Sequence, residues 1–538
     1  MKKVLFILLG CLLSFNVMAQ VKAISGLVTD VTGEPVIGAS VVEVGTTNGV
    51  ITDLNGKFSL KVAPNSQFLV SYIGYKQQTI KVGSESTYNI VLKEDAEVLD
   101  EVVVVGYGSQ KKVNVTGAVG MVGAEALEAR PVANASQALQ GVVPGLNLTV
   151  GNNGGALDGT LNMNIRGAGT IGDGSGSSPL VLIDGIEGDL NTVNPNDIES
   201  VSVLKDAASA SIYGARASFG VILVTTKSGK SGKTNVSYSG SARFSDAIGV
   251  PDIMDSYTFA QYFNRASANK GGGDIFAPAV MERIKAYQEG TLKATTVDNG
   301  AGIWQKWANA NGDTDWFEEF YDHWAPSQEH NLSINGGTDK TQYLISGSFL
   351  DQKGLMRHGK DKFQRYTLNG KITTAVTDWF KVTYSTKWTR EDFERPSYLT
   401  GNFFHNLARK WPVHPAYDPN GFPMDEGEVE QMENGGKQNS QKDFYTNQLQ
   451  LVFEPIKNWK INLDGSVRTT TQYQHWEVLP VYAYNVAGDP YYTVWDMGYG
   501  SYAAGSSRVN EYSWKENYYT TNIYSDYFKQ FDNGHYFK

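Results

Sequence analysis

The side chains capable of acid–base or metal chemistry are scattered along this chain rather than gathered in a motif. The histidines show neither metal-ligand spacing nor the arrangement of a catalytic triad. Carboxylates are plentiful, but nothing singles out a pair for general acid–base catalysis. The sequence therefore predicts no enzyme, no metal site and no cofactor. The seven histidines are His323, His330, His358, His405, His414, His475 and His535.

Two local patterns resemble binding motifs. Residues 167–172 read GAGTIG, a formal match to the glycine pattern of nucleotide-binding loops. The next residues, 173–179, cannot open a helix, so no helix N-terminus is available to hold a pyrophosphate. Asp53 and Asn55 could be imagined as metal ligands, but such residues close to glycine usually form turns. Neither pattern predicts a ligand.

The most distinctive stretch is Leu99 to Lys112, LDEVVVVGYGSQKK. Its four consecutive valines favour an extended backbone, because β-branched side chains suit a pleated strand. Acidic residues precede the valines, and glycines and lysines follow them. Two interpretations stay open on this pattern alone. The segment is either an ordinary buried strand or a strand that pairs with an exposed sheet edge of a partner protein.

The N-terminus has the form of a secretory signal. Two lysines precede an apolar run, Val4 to Leu13, and Ala19 marks a small-residue cleavage site. Cleavage there would remove Cys11, the only cysteine. The formal net charge is −10, and the signal contributes two lysines and no acid, so the mature charge would be −12. An acidic chain argues against nucleic acid as a partner.

Aromatic residues are concentrated late in the chain: 53 of the 63 follow residue 232. Alternating apolar residues mark strands there, most clearly over Phe380 to Trp388. The predicted strands have about 10 residues and are joined alternately by tight turns and long loops, a pattern typical of an outer-membrane barrel with aromatic girdles. The predicted long loops are Pro251 to His330 and Glu391 to Asp443. A soluble carbohydrate-binding β domain stays an alternative.

Two regions precede these strands. Residues 20–97 alternate short strands with turns, which predicts a small β-sandwich. Residues 113–230 combine short strands, short helices and many glycines, which predicts a mixed α/β domain. Within it, Asp206 is expected to cap a helix over Ala207 to Tyr213.

The order of these segments resembles the SusC/RagA family of TonB-dependent outer-membrane transporters. The resemblance rests on GLVTDVTGEPVIGASVVEVGTTNGVITDLNGKFSL, LDEVVVVGYGSQKK, PVANASQALQGVVPGLNL, IRGAGTI, PLVLIDGI and NPNDIESVSVLKDAASASIYGARASFGVILVTTKSGK, all within the first 245 residues. It implies a multidomain chain: a signal peptide (1–19), a carboxypeptidase-regulatory-like β-sandwich (20–97), a TonB box and linker (98–112), an α/β plug domain (113–230) and the incomplete N-terminal part of a 22-stranded transmembrane β-barrel (231–538).

The resemblance also implies roles for particular residues. Plug signatures are expected to serve packing of the plug rather than contact with substrate, and no substrate-binding residue is identified. The TonB box, which would bind TonB, comprises Asp100, Glu101, Val102, Val103, Val104 and Val105. The plug signatures are Arg166, Gly167, Asp184, Gly185, Tyr213, Gly214 and Arg216. Tryptophans that could stack on sugars, contact a lipoprotein lid or belong to a girdle are Trp304, Trp307, Trp316 and Trp324.

The function implied by the resemblance is TonB-dependent import of a glycan or peptide nutrient across the outer membrane. The N-terminal domain would be periplasmic, where TonB acts with ExbB/ExbD. The other expected partners are a SusD-like surface lipoprotein, outer-membrane lipid and the nutrient, with no nucleic acid. The alternative is a surface adhesin or binding protein without active transport, which would need no Val102 to Val105 segment.

The predicted barrel needs more residues than this chain supplies. Twenty-two strands of about 10 residues need about 220 residues before loops are counted. Residues 233–538 supply 306 residues, in which about eight to ten strands are recognisable. An open half-barrel would leave unpaired strand edges in lipid. The sequence is therefore expected to be an N-terminal fragment, with transport belonging to the full-length protein.

Overall fold

The computed structural model describes residues 22–46, 48–64, 66–72, 75–93, 102–105, 108–111, 118–128, 130, 132–150, 157, 161–167, 178–493, 505–530 and 536–537. The predicted signal peptide, Asp100, Glu101 and most of the GAGTIG pattern lie outside these residues. The chain divides into two compact units. One holds residues 1–103 and 109–115, and the other holds residues 104–108 and 116–538.

The first unit is a β-sandwich, which confirms the prediction for this region. Its strands are β1 (Lys22–Thr29), β2 (Ser40–Glu43), β3 (Gly49–Ile51), β4 (Lys57–Val62), β5 (Gln67–Ser71), β6 (Gln78–Lys81) and β7 (Thr87–Val91). They form one sheet in the order β4-β1-β7 and another in the order β3-β2-β5-β6. The Asp53 carboxylate accepts hydrogen bonds from the backbone N–H groups of Asn55 and Lys57, at 2.9 and 2.8 Å. Asp53 is therefore a turn former, as predicted.

A separate two-stranded sheet follows, formed by β8 (Val102–Val105) and β9 (Gly108–Lys111). The four valines are extended, as their β-branched side chains predict. The sequence did not predict β9, because its residues, Gly-Ser-Gln-Lys, have low strand propensity. Its extended conformation depends on pairing with β8.

Residues 118–226 form the mixed domain, called here the α/β domain. Its elements are β10 (Val119–Gly123), α1 (Ala124–Glu128), α2 (Ala135–Leu139), β11 (Leu146–Val150), β12 (Leu161–Ile165), β13 (Leu180–Ile183), β14 (Ile186–Glu187), β15 (Ile198–Leu204), α3 (Ala207–Ala210) and β16 (Val221–Thr226). The main sheet has the order β10-β15-β16-β13-β14, and β11 pairs with β12 separately. Buried residues of β15 and β16, including Val201, Val203, Ile222 and Val224, supply its core.

The Asp206 cap is confirmed, but the helix is shorter than predicted. The Asp206 side chain accepts a hydrogen bond from the Ser209 N–H at 2.7 Å. Helix α3 ends at Ala210, and 3₁₀ turns occupy Ser211–Ala217 instead of the predicted continuation to Tyr213. Gly214, just beyond the predicted helix end, has a φ of 67° and interrupts the 3₁₀ segment, because this φ is incompatible with a right-handed helix.

Eight of the remaining strands form an antiparallel sheet, called here the wall. Its strands follow chain order without a crossover: β17-β18-β19-β20-β21-β22-β23-β26. The strands of this region are β17 (Gly232–Ser245), β18 (Ala325–Gly337), β19 (Thr341–Lys353), β20 (Lys362–Thr377), β21 (Phe380–Pro396), β22 (Lys437–Ile456), β23 (Trp459–Val478), β24 (Tyr482–Tyr484), β25 (Pro490–Tyr492), β26 (Arg508–Tyr527), β27 (Lys529–Gln530) and β28 (Tyr536–Phe537).

The two faces of the wall differ in chemistry. On β20, Leu368 and Ile372 are exposed on the outer face, whereas Arg365 and Thr367 are buried on the inner face. This alternation follows from the two-residue period of a strand. At the end of the wall with short turns, aromatic side chains gather on the outer face, and Phe380 stacks on Phe453 at 4.6 Å. An apolar outer face and a polar inner face are typical of a membrane wall.

The prediction of strands with about 10 residues is wrong. The eight wall strands have 13 to 20 residues. The second predicted loop is correspondingly shorter, spanning 397–436, whereas the first is displaced to 246–324 with almost the same length. Pairs of polar side chains continue the sheet beyond its apolar stretch. Arg390 on β21, for example, donates two hydrogen bonds to Asp443 on β22, at 2.8 and 2.9 Å. Apolar alternation alone does not reveal such strand ends.

All the long connections lie at one end of the wall, because the strands alternate in direction. Residues 246–324, 354–361, 397–436 and 479–493 are called here the loop layer. The sequence did not predict its helices, which are α4 (Ser256–Asn269), α5 (Pro278–Gln288), α6 (Trp316–Phe320), α7 (Gly401–Leu407) and α8 (Val429–Asn434). Among the described residues, no helix has the length and apolar character to cross a membrane.

Candidate functional site

Asp184 connects the α/β domain to the wall. It follows β13, and with Gly185 it forms a turn in which both residues have positive φ, 50° and 84°. Its carboxylate accepts hydrogen bonds from the backbone N–H and the hydroxyl of Thr226, at 2.9 and 2.6 Å. It also pairs with Lys387 on β21, and the Lys371 ammonium on β20 lies 4.0 Å away. The Asp184 side chain is only 8% exposed.

The charge of Asp184 is stabilised despite its burial. Burial by itself would raise the pKa of the Asp184 carboxyl. The charges of Lys387 and Lys371 and the hydrogen bonds from Lys387 and Thr226 outweigh burial and hold that pKa well below its usual value. Asp184 is therefore a carboxylate at neutral pH, and the two lysines of the wall are its counter-charges.

Other inner-face side chains bind the α/β domain at separate points. Arg365 on β20 donates hydrogen bonds to the backbone carbonyls of Ala133 and Asn191, the latter at 2.8 Å. Asn369, four residues further along the same strand, donates a hydrogen bond to the Asp197 carboxylate at 2.7 Å. These contacts come from polar side chains that alternate with the apolar outer-face residues. The inner face of the wall is therefore the binding surface for the α/β domain.

Arg216 lies at the edge of this contact. Its guanidinium pairs with the Glu187 carboxylate at 2.8 Å, and both side chains are partly exposed. The backbone carbonyl of Glu187 accepts a hydrogen bond from Arg468 on β23. Arg468 in turn stacks over the Tyr518 ring of β26 at 5.0 Å. Arg216 thus supports a segment that the wall binds directly.

The remaining signature residues shape the α/β domain itself. Arg166 and Gly167 follow β12, with φ values of 60° and 98°, and the Arg166 N–H donates to the Gly145 carbonyl at 2.8 Å. Tyr213 packs against the apolar cluster that includes Leu204, and Gly214 provides the turn after it. The structure therefore separates Asp184 and Arg216, close to the wall, from residues that form turns inside the domain.

A cavity of about 310 Å³ lies between the wall and the segment that follows β13. Its lining combines charged, hydroxyl and aromatic side chains, including Lys387, Arg468, Phe444 and Trp514. The side chains of the domain and the wall leave this space between them unfilled. Sequence reasoning missed this site, because its residues come from strands far apart in the chain and carry no motif.

The tryptophans that the sequence singled out lie in the loop layer. Trp316 is buried, and Trp307 stacks face to face on His414 at 4.6 Å. Burial, together with the charge of Lys410, lowers the pKa of His414 to about 3. Trp324 is exposed. The rings of Trp307 and Trp316 thus contribute to the core of the loop layer.

The described residues contain no group of three or more His, Cys, Asp and Glu side chains placed to hold a metal ion. The contacts of Asp184, Arg365 and Arg468 are instead those of a docking interface. Its polar bonds form between two parts of one chain, and they can break and re-form without a chemical reaction.

Comparison with known proteins yields two family matches. The family model of the TonB-dependent receptor plug domain matches residues 111–221, and that of the CarboxypepD_reg-like domain matches residues 24–104. TonB-dependent receptor SusC of Bacteroides thetaiotaomicron is 35% identical over 377 residues, which cover 68% of this chain and 33% of that protein. TonB-dependent receptor P39 of Formosa agariphila is 32% identical over 414 residues, covering 76% and 36%.

The fold has a close counterpart among solved structures. The RagAB peptide importer in its open-open state aligns with a TM-score of 0.61 at 24% identity, covering 80% of this chain and 47% of that one. At this identity the similarity concerns the fold alone. The chain spans about a third of the length of the two curated relatives.

Proposed function

The chain belongs to the TonB-dependent receptors of the SusC/RagA type, and we propose that the full-length protein imports a glycan or peptide nutrient across the outer membrane. The observation that carries this proposal is the docking of the α/β domain on the polar inner face of the wall, through Asp184, Arg365 and Asn369. A domain held by such polar contacts can close a pore and still be released, because no covalent bond has to break. Transport belongs to the full-length protein, because this chain spans only part of its relatives.

TonB would act on the segment Asp100 to Val105. The described part of this segment, Val102–Val105, is a strand. An extended segment can pair with a sheet edge of a partner through backbone hydrogen bonds, which gives affinity without a deep pocket. A strand of this kind also transmits tension along the backbone. We assign Asp100, Glu101 and the four valines to TonB, acting with ExbB/ExbD in the periplasm.

Transport would then proceed by partial release of the α/β domain. The substrate binds on the side of the loop layer, which faces outwards, and the segment at Val102–Val105 becomes available in the periplasm. TonB adds a strand and pulls, using the proton gradient of the inner membrane. Part of the α/β domain moves or unfolds, and the substrate passes the wall.

The partner at the outer surface would be a SusD-like lipoprotein, as the family resemblance implies. The loop layer would form the protein surface that such a lid covers. The RagAB neighbour is a peptide importer, whereas the family as a whole includes glycan importers. The proposal therefore keeps both substrate classes.

Growth of the source bacterium tests the proposal. Strains carrying the full-length gene, either intact or with Asp100 to Val105 deleted, are grown on single glycans and peptides as limiting nutrients. Loss of growth on one nutrient upon deletion is the expected result, and it also identifies the substrate class. Equal growth on every nutrient, with both proteins present in the outer membrane, would favour the adhesin alternative.

A further inference from the structure

His358 lies where three connections of the loop layer meet. It belongs to the connection 354–361, and its side chain is only 7% exposed. Its Nδ1 atom lies 2.7 Å from the Glu433 carboxylate on α8, in connection 397–436. Its Nε2 atom lies 2.9 Å from the Glu319 carboxylate on α6, in connection 246–324. The Phe320 ring packs edge-on against the imidazole at 5.5 Å.

This geometry defines the protonation state of His358. A carboxylate accepts hydrogen bonds, so each ring nitrogen must carry a proton to bond to its partner. Neutral imidazole has one N–H, and only the imidazolium ion has two. Both contacts are therefore satisfied only while His358 is charged. Loss of the proton would leave one carboxylate facing a lone pair inside a mostly buried site.

We propose that His358 is a proton-dependent latch of the loop layer: its imidazolium ties connections 246–324 and 397–436 together, and the layer loosens when that proton is lost. The latch would set the mobility of the surface at which the proposed function places the substrate and the lid. The inference goes beyond that function, since it concerns loop opening and holds whatever the protein transports.

The surrounding charges are consistent with the latch. Burial by itself would lower the pKa of His358, but the hydrogen bonds and charges of Glu319 and Glu433 outweigh it and raise that pKa. The Tyr417 hydroxyl also bonds to Glu319, and burial raises its pKa to about 12, so it stays neutral over the relevant range. The other charged or titratable groups around the site are Arg357, Lys360 and Asp361 in its own connection and Tyr321 after α6.

A second histidine repeats the arrangement at the base of the loop layer. The His323 Nδ1 atom lies 3.0 Å from Asp246 at the end of β17, and its Nε2 atom lies 3.2 Å from Glu318 on α6. These hydrogen bonds raise the pKa of His323 as well. His323 is half exposed, so water can replace its partners at lower cost. His358 is therefore the dominant latch.

The direction of the pH effect follows from the raised pKa. The stabilisation by charged His358 is fully present below the pKa of an unfolded histidine, about 6.5, and it is lost as the pH rises through the higher folded-state value. The loop layer is thus closed most firmly in mildly acidic solution, and it opens more often as the pH rises. If the pKa of His358 is one unit higher in the closed layer than in the unfolded chain, the opening equilibrium rises tenfold when the proton is lost.

Hydrogen exchange of the full-length protein in detergent tests the latch, with the rates corrected for the intrinsic effect of pH on exchange. In the wild type, opening of 354–361 and 429–436 is expected to increase about threefold or more between about pH 6 and about pH 9. His358→Gln is expected to open as often at the lower pH as the wild type does at the higher one. The matched control is His405→Gln, at an exposed position on α7, which should behave as wild type.

Glu433→Gln provides a second variant that removes only one half-exposed partner. It should retain the fold and reduce the pH dependence of opening. Wild-type opening that does not change with pH would overturn the proposal. So would full wild-type pH dependence in either His358→Gln or Glu433→Gln. Because the readout is loop opening, failure of the latch is distinguishable from failure of import.

Discussion

Replacement of Asp184 by asparagine should loosen the α/β domain from the wall. Asparagine has nearly the same size and keeps an oxygen that can accept the hydrogen bond of the Thr226 N–H, and its NH2 group can donate to the Thr226 hydroxyl, but it lacks the charge. Lys387 and Lys371, whose side chains are 23% and 15% exposed, would then lose the carboxylate with which both of them pair. The variant therefore tests the charge separately from the shape of the turn.

The expected magnitude follows from the burial of the three groups. Removing one partner of a fully buried ion pair costs about 3–5 kcal/mol. Both lysines keep some contact with water, so the cost here should be about 2–3 kcal/mol. A tenfold change corresponds to about 1.4 kcal/mol, so the population of released domain should increase about 30- to 150-fold.

Passive leakage measures this population in the full-length protein. Cells are exposed to a bulky glycopeptide antibiotic that an intact outer membrane excludes, and the inhibitory concentration is compared at equal protein levels. Asp184→Asn should sensitise the cells, whereas Glu199→Gln, at an exposed acid of the same domain, should not. Adding Lys387→Met should restore part of the seal, because the unpaired charge is then gone. If cells with Asp184→Asn exclude the antibiotic as well as wild-type cells do, the charge of Asp184 does not hold the domain on the wall.

The contact of Asp184 with the wall and the contacts of His358 in the loop layer should respond differently to pH. The low pKa of Asp184 means that its stabilisation is present above the pKa of an unfolded aspartate, about 3.9, and is lost only as the pH falls through the lower folded-state value. Leakage through the wild-type protein should therefore stay constant between about pH 5 and about pH 9, while the loop layer loosens. Leakage that rises in parallel with loop opening would contradict this separation.

Three further substitutions test the strand β8, the Arg365 contacts and the cap of α3. Val103→Pro removes a backbone donor from β8 and should abolish energy-coupled uptake, whereas Val103→Thr should retain it. Arg365→Lys cannot bridge the carbonyls of Ala133 and Asn191, and the lost hydrogen bond should cost about 1 kcal/mol, measured as antibiotic leakage. Asp206→Ala removes the cap of α3 and should cost about 1 kcal/mol, measured as faster proteolysis of the α/β domain; wild-type resistance would contradict it.

Local patterns predicted much of the α/β domain and the sandwich. The short strands predicted for residues 113–230 include Leu180–Ile183, Ile198–Leu204 and Val221–Thr226 of the structure. They are short apolar runs bounded by turn formers, so their limits are visible in sequence. The helices of the loop layer could also have been found. Asp255 caps α4, and Pro278 occupies the first position of α5, both of which are ordinary helix-start signals.

The docking site could not be predicted in the same way. The sequence marked Asp184 as a signature residue, but Lys387 lies 203 positions further along the chain. The pairing depends on the register of the wall and on the position of the α/β domain against it. Neither is encoded near Asp184. A motif can therefore identify a constrained residue while its partner, and so its role, depends on the tertiary fold.

If the full-length protein is the proposed importer, its uptake depends on the segment Asp100 to Val105. The most direct measurement is uptake of a labelled nutrient, chosen from the growth panel, by cells with the full-length protein. We expect the wild type to show saturable uptake that stops when the proton gradient is dissipated. We expect the variant without Asp100 to Val105 to show no such uptake. Uptake that continues at the same rate in the deletion variant would contradict it.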